Sequence, residues 1–191
     1  MSYAIYSTSG FILGSQPTGE ASKTYLIYTE HFGLVRARAQ GARLLSGKLR
    51  YSLEPMTHGM FSFVDGRYGM RLVGTESFGV LLSSDRRSRA SIGNIVRLLT
   101  RLLPADEAHP KLCALVRDGF VFMNTCAHEN LMHAECALVL SILRELGYLP
   151  DDPQLMRYAQ EPLSHPLLVE FGSIKSHAIR TINQVLSESG L

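Results

Sequence analysis

The spacing of the apolar residues changes once along the chain, and this change limits the possible folds more than any other feature. In residues 1–82, apolar and polar residues alternate in short runs, a period of two that is typical of β-strands. In residues 83–191 the spacing lengthens to three and four residues, as in Ile92, Ile95 and Leu99, which is typical of amphipathic helices. Because strands and helices are segregated, the sequence predicts an α+β protein whose two domains meet at residue 82.

The first domain is predicted to contain five strands. The first strand is long and bends at Gly10, and the last two flank a hairpin loop at residues 65–69. A longer basic connection, residues 41–51, follows the third strand. This order fits a five-stranded Greek-key barrel such as an OB-fold, although an SH3-like barrel would show nearly the same periodicity. The strands are predicted at residues 3–14, 24–29, 34–39, 60–64 and 70–74.

The second domain is predicted to be all-helical. Its first helix ends at Pro104, and a second begins near Pro110, with proline in the first turn. The third and most apolar helix is closed by Gly147 as a C-cap. A short helix follows Asp152, and a final helix is predicted over residues 164–187.

Charge is distributed unevenly between the two domains. The first domain has eight basic and five acidic residues, and the second has eleven basic and twelve acidic residues. Five of the positive charges lie within residues 36–50, a stretch without any acid. Such a cluster favours an anionic partner, although a basic face that only contacts solvent would have the same composition.

The cysteines and the apolar runs indicate the cellular compartment in which the protein is expected. Three cysteines without CxxC spacing argue against a disulfide scaffold. No apolar run approaches the ~18 residues needed to cross a bilayer, and the first ten residues lack the regions of a secretory signal. We therefore expect a reduced, cytoplasmic protein that does not contact membranes.

Motifs for catalysis are missing from the sequence. There is no GxSxG element, no phosphate-binding loop and no zincin motif, since His128 and His133 are five residues apart instead of four. Glu129, His133 and Cys136 would share one face of a helix and are the best alternative for a metal-dependent hydrolase. A helix with an apolar face and ordinary polar residues on the other explains them better, so we predict no catalytic residue, no cofactor and no metal.

Basic and aromatic residues are interleaved in the first domain. Single-stranded nucleic acid binding needs cations along the phosphates and aromatic faces for the bases. Arg36 and Arg38 lie two apart on a strand, so both point to one face. Some of the aromatic residues must instead fill the barrel, and alternation leaves open which ones. The candidate nucleic-acid-binding residues are Lys23, Tyr28, Arg36, Arg38, Arg43, Lys48, Arg50, Tyr51 and Arg71.

Several short motifs occur in an order that resembles a known family. They include Thr29-Glu-His-Phe-Gly33, Ala39-Gln-Gly-Ala-Arg43, Leu53-Glu-Pro55 and Leu146-Gly-Tyr-Leu-Pro150. In this order and at this spacing they resemble the RecO family of bacterial recombination mediators, over nearly all of the chain to about residue 150. The resemblance implies an N-terminal OB-fold and a C-terminal helical domain.

The resemblance also implies a function and partners. It implies binding of single- and double-stranded DNA, strand annealing, and recombinase loading together with RecR and the single-stranded DNA-binding protein, in the cytoplasm at the nucleoid. Many members carry a four-cysteine zinc module after the Gly-Tyr-x-Pro element. No cysteine follows Cys136 in this sequence, so that module cannot form here.

The helical domain is the expected site for the acidic tail of the single-stranded DNA-binding protein. A tail that is acidic with an apolar tip needs an apolar groove rimmed by cations. A protein-interaction adaptor that docks such a tail and binds little nucleic acid is the alternative function. The candidate partner-binding residues are Arg97, Arg101, Arg117 and Arg144.

Overall fold

The structure is a computed structural model. It describes residues 4–42, 53–67, 69–82, 84–104 and 107–188. Within these ranges the chain forms five strands followed by six helices. The strands are β1 (Ile5–Thr18), β2 (Ser22–Thr29), β3 (Gly33–Ala39), β4 (Thr57–Val64) and β5 (Arg71–Val80). The helices are α1 (Arg86–Leu102), α2 (Pro110–Thr125), α3 (Leu131–Glu145), α4 (Pro153–Gln160), α5 (His165–Phe171) and α6 (Lys175–Glu188).

The five strands close into a barrel in the order β1-β2-β3-β5-β4. Neighbouring strands are antiparallel except β3 and β5, which are parallel and pair at Arg38 and Arg71. This is the Greek-key order of an OB-fold, so the predicted fold class is confirmed.

Every second side chain along the strands points into the barrel and fills its interior. On β3, Val35, Ala37 and Ala39 are buried, whereas the residues between them are exposed. On the neighbouring strand β2, Tyr25 pairs with Ala37 and Ile27 pairs with Val35, and these residues share the barrel core with the rings of the fourth strand. The barrel core consists of Ile12, Tyr25, Ile27, Val35, Ala37, Ala39, Ala42, Leu53, Phe61, Phe63 and Leu72.

Strand β5 is longer than predicted, because it continues to Val80 instead of ending at Gly74. It pairs with β4 along its whole length, but the register shifts twice. The shifts leave Val73 and Phe78 without a direct partner on β4, and each is a β-bulge. Most of its residues after Leu72 are exposed, so the alternation that marks a half-buried strand is absent from the sequence there.

The chain folds into two compact units. One unit comprises Met1–Leu81 with Leu103–Cys113, and the other comprises Leu82–Leu102 with Ala114–Leu191. The segment around His109 therefore groups with the barrel, although its sequence pattern is helical. Its contact with the barrel is direct, since the Tyr28 hydroxyl donates to the His109 carbonyl at 3.5 Å.

The ends of the helices follow local sequence signals. The Asp85 carboxylate accepts from the backbone N–H of Ser88 at 2.7 Å, and this bond is the main reason that the pKa of Asp85 is lowered. Gly147, at φ 76°, ends α3 in a Schellman motif. The Gly147 N–H donates to the Arg144 carbonyl, and the Tyr148 N–H donates to the Leu143 carbonyl. Gly147 therefore ends α3 as predicted, at the position directly after the C-cap residue Leu146.

The prediction of one final helix over residues 164–187 is wrong. The chain forms two helices, α5 and α6, separated at residues 172–174. There the backbone N–H groups of Gly172, Ser173 and Ile174 donate to carbonyls three residues earlier, so the turn is tighter than an α-helix. Glycine and serine are weak helix formers, which permits the interruption. In the described part of the chain, no helix is long and apolar enough to cross a membrane.

Candidate nucleic-acid interface

Strand β3 presents two arginines on the outside of the barrel. Arg36 and Arg38 are exposed, and the buried Val35, Ala37 and Ala39 alternate with them. The core positions fix the register, because a shift by one residue would bury both guanidinium groups. The predicted shared face of Arg36 and Arg38 is therefore present in the structure.

The closure of the barrel adds a third arginine to this face. Arg38 and Arg71 are partners in the parallel pair of β3 and β5, and the Arg38 backbone N–H donates to the Met70 carbonyl at 3.0 Å. We call Arg36, Arg38 and Arg71 the outer-face arginines. Among the described residues, no carboxylate lies within 4.0 Å of their guanidinium groups. Three neighbouring cations without an acid favour binding of an anion.

A cleft of about 330 Å³ lies beside two of the outer-face arginines, Arg38 and Arg71. Arg38, Arg71 and the β4–β5 loop line it, and the loop contributes Arg67 and Asp65. Gly66 leaves room for Arg71, since a Cβ on Gly66 would lie 3.1 Å from the Arg71 Cδ. Guanidinium groups bind phosphate oxygens with paired N–H donors, so this cleft has the chemistry of a phosphate site. Arg67 was not among the predicted residues, although its place in the hairpin loop next to Arg71 was a usable signal.

Lys23 is not part of the outer face. It pairs with Ala39, whose side chain points to the core side of the sheet, and it is half-buried. Its neighbour Thr24 pairs with Arg38 instead. The structure therefore does not bring Lys23 together with the outer-face arginines.

Tyr28 is removed from the candidates for base stacking. Its side chain is fully buried, and its ring packs edge-to-face on Phe11 with centroids 5.6 Å apart. Burial raises the pKa of its hydroxyl. A ring without an exposed face cannot stack on a base. Four further predicted residues, Arg43, Lys48, Arg50 and Tyr51, lie outside the described residues.

Comparison with known proteins bears on the barrel directly. Residues 1–74 match the family model described as "Recombination protein O N terminal". The resemblance to RecO is confirmed. The matched region contains all three outer-face arginines and the β4–β5 loop.

Three curated RecO proteins are similar to this chain. "DNA repair protein RecO" of Thermodesulfovibrio yellowstonii is 26% identical over 151 residues, 76% of this chain and 59% of that protein. The RecO of Heliobacterium modesticaldum is 27% identical over 151 residues, covering 77% and 53%. The RecO of Pelotomaculum thermopropionicum is 26% identical over 150 residues, covering 76% and 57%. The chain thus spans a little over half the length of these RecO relatives.

The helical unit of this RecO-like chain contains an apolar groove. The groove has a volume of about 490 Å³ and lies between α2, α3 and the α4–α5 loop. Leu115, Phe122, Leu138 and Leu163 are among its lining residues. We call it the α2–α3 groove.

The predicted partner-binding arginines lie outside the lining of the α2–α3 groove. Arg97 and Arg101 are exposed on α1. Arg117 pairs with Asp118 at 2.9 Å, and Asp118 lines the groove. Arg144 donates to the Ala159 carbonyl at 3.5 Å, and Ala159 also lines it. Arg117 and Arg144 therefore each contact a residue that lines the groove, whereas Arg97 and Arg101 lie on α1, which contributes none of the lining residues among those described.

The alternative metal site predicted from Glu129, His133 and Cys136 is not supported, because His133 makes packing contacts instead. His133 Nδ1 lies 3.0 Å from the Leu168 carbonyl, and its ring packs on Phe171 at 5.8 Å. Burial raises the pKa of the Cys136 thiol to about 11, which keeps it protonated at neutral pH. In the ranges that the structure describes, no three His, Cys, Asp or Glu side chains are placed to hold a metal ion.

Proposed function

We propose that this chain is a DNA repair and recombination mediator of the RecO type. It would bind single- and double-stranded DNA, anneal complementary strands, and help to load recombinase onto DNA coated by the single-stranded DNA-binding protein, with RecR as a partner. Such a role requires no catalytic group and belongs in the cytoplasm at the nucleoid. The observation that carries the proposal is the set of three outer-face arginines on the RecO-like barrel, which have no acidic partner among the described residues.

The outer-face arginines support binding to the phosphate backbone of DNA. Their guanidinium groups lie on two adjacent strands, so successive phosphates of one nucleic-acid strand can contact them in turn. Phosphate contacts release condensed counterions, with a log–log salt slope of about −0.7 for each phosphate on a single strand. Three contacts predict a slope of about −2 or steeper.

Titration of the full chain with labelled single- and double-stranded oligonucleotides at two salt concentrations tests this function. We expect binding to both, weakening with salt at the slope given above, and faster annealing of complementary strands. Binding that is absent at low salt, or that does not depend on salt, would contradict the proposal.

The α2–α3 groove favours a second candidate function, the docking of an acidic peptide tail. Its volume of about 490 Å³ accommodates one or two large apolar side chains at the tip of a tail. Arg117 and Arg144 lie next to its lining residues and can contact the acidic part of the tail.

Replacement of Arg97, Arg101, Arg117 and Arg144 by alanine should weaken binding of the tail peptide at least tenfold, since several cation–carboxylate contacts would be lost. Fluorescence anisotropy of a labelled tail peptide measures the effect. The double variant Arg97→Ala/Arg101→Ala is the control, and it should account for less of the loss than Arg117→Ala/Arg144→Ala. Unchanged affinity of the quadruple variant would contradict tail binding at this groove.

A further inference from the structure

Phe78 is the most exposed aromatic ring among the described residues of the barrel, with 55% of its surface accessible. An exposed phenylalanine has an apolar surface that water solvates poorly. The ring is nevertheless held in place, because it packs edge-to-face on His58 with centroids 5.4 Å apart and an angle of 73° between the planes. A fixed ring open to solvent is suited to contact a flat ligand.

The backbone around Phe78 turns this ring outward. Phe78 is the extra residue of the second β-bulge, and bulges often redirect a side chain. Gly79 follows at φ 147°, a conformation that residues with a Cβ rarely adopt. On β4, a Cβ on Gly59 would lie 2.2 Å from the Glu76 carbonyl oxygen, so only glycine fits against the bulged strand. Two glycines therefore permit the bulged backbone at Phe78.

Phe78 lies on the same outer surface as the outer-face arginines. His58 and Val64 belong to the side of β4 opposite the core residues Phe61 and Phe63. Arg71 pairs with Val64 at one end of this surface, and Phe78 packs on His58 at the other end. Phe78 follows Arg71 by seven positions along β5, a span of at most about 23 Å at ~3.3 Å per residue.

We infer that Phe78 stacks on a base of a single-stranded nucleic acid whose phosphates contact the outer-face arginines. This inference rests on the proposed DNA binding and names the residue that recognises the bases. At the ~3.4 Å per nucleotide of a stacked strand this distance corresponds to at most about seven nucleotides, within the ~4–16 nucleotides bound per OB-fold. Glu76 is exposed on the same surface, where it pairs with Met60, and it disfavours a phosphate there. A base beside Phe78 avoids this repulsion.

A nucleic acid fits this surface better than an apolar protein segment. A single strand carries regular negative charges and flat bases, which match cations at one end of the surface and a fixed ring at the other. An added β-strand would have to follow a β5 edge that two bulges distort, and bulges of this kind hinder edge pairing.

Phe78→Trp provides a direct test, because the chain contains no tryptophan of its own. Stacking of a base on the indole should quench its fluorescence when oligo(dT) binds. An abasic strand of the same length has phosphates but no bases, so it should bind without quenching. Val169→Trp, at an exposed position on α5, serves as the control and should not be quenched by either strand.

Phe78→Ala measures the contribution of the ring to affinity. We expect a loss of about 5- to 150-fold for oligo(dT), no loss for the abasic strand, and an unchanged salt slope. Phe78→Tyr should restore binding, and Val80→Ala, which removes an exposed apolar side chain without a ring, should have no effect. Phe78→Leu keeps the apolar volume but lacks the aromatic face, so it should behave like the alanine variant even if the latter folds poorly.

Three results would overturn the inference. If Phe78→Ala keeps the parent's affinity for oligo(dT) while Arg36→Ala/Arg38→Ala/Arg71→Ala loses it, DNA binding stands without base stacking. Equal losses on oligo(dT) and the abasic strand would show that the ring does not read bases. An unchanged affinity together with altered self-association in sedimentation would assign Phe78 to a protein contact. If the arginine variant also binds normally, the proposed function itself fails.

Discussion

At Gly33 the segment around His109 packs closely against the barrel. The φ of Gly33 is 63°, and a Cβ placed on it would lie 2.1 Å from the Glu107 carbonyl oxygen. Both the backbone conformation and the neighbouring backbone therefore exclude a side chain. Gly19 has a similar φ of 69°, but nothing lies within 4 Å of a Cβ built there. Comparing substitutions at the two glycines therefore separates the cost of a left-handed backbone, which both share, from the cost of a backbone clash, which only Gly33 has.

Gly33→Ala should destabilise the fold more than Gly19→Ala. The left-handed conformation alone costs about 1–2 kcal/mol for a residue with a Cβ. Gly33→Ala adds a clash with backbone, so we expect a total loss of about 3 kcal/mol or more in the free energy of unfolding. Urea unfolding followed by circular dichroism measures both variants. Equal losses would mean that the contact between Gly33 and Glu107 does not contribute to stability.

The burial of Tyr28 could not be predicted from the local sequence. Alternation predicts only that Tyr25 and Tyr28 point to opposite sides of β2, and in the structure Tyr25 lies in the barrel core whereas Tyr28 is on the outer surface of the strand. The segment that contains His109 covers this outer surface, some 80 residues later in the sequence. No local pattern contains that contact, so the burial of Tyr28 could not be predicted. Arg36 and Arg38 were predictable because their exposure depends only on the alternation of β3.

Among the elements, α4 begins with a cap that a second helix reinforces. Asp152 accepts from the Gln154 backbone N–H at 2.9 Å, and its other carboxylate oxygen lies 2.6 Å from His177 Nε2 on α6. The hydrogen bond with His177 is the largest cause of the lowered pKa of Asp152, followed by that with Gln154. The carboxylate thus joins the start of α4 to α6.

Asp152→Asn should keep the cap but lose the charged contact with His177. Because the folded pKa of Asp152 is lowered, its charge stabilises the fold fully above the unfolded value of about 3.9. This stabilisation is lost as the pH falls through the folded pKa. The parent should therefore resist urea better than Asp152→Asn at pH 5, and the difference should disappear in strong acid. Asp152→Ala also removes the cap and should cost about 1 kcal/mol more. A constant difference between parent and Asp152→Asn down to pH 2 would contradict this role.

Element boundaries were predictable where a local signal sets them. Pro110, Gly147 and Asp152 each begin or end a helix at the predicted place. The end of β5 could not be predicted, since both surfaces of its second half are exposed and the bulges depend on pairing with β4. The outward position of Phe78 comes from the same pairing, so it was missed as well.

For the whole molecule, the closure of the barrel creates the candidate site. Arg38 and Arg71 are 33 residues apart in the sequence and become neighbours only through the parallel pair of β3 and β5. The sequence pattern predicts each residue as basic and exposed, but not their contact across two strands. The resemblance to RecO predicts the fold. The closure of the barrel places Arg38 beside Arg71, and this pair identifies the surface at which we propose that DNA binds.

The salt dependence of DNA binding by the variant Arg36→Ala/Arg38→Ala/Arg71→Ala tests the central claim most directly. Loss of three phosphate contacts should flatten the log–log salt slope by about 2 and weaken binding to all sequences alike. Arg97→Ala/Arg101→Ala/Arg180→Ala removes the same number of positive charges from exposed positions on the helices and should leave the slope unchanged. Circular dichroism should show that both variants fold. If the first variant folds and keeps the parent's affinity and salt slope, DNA does not bind at the outer-face arginines.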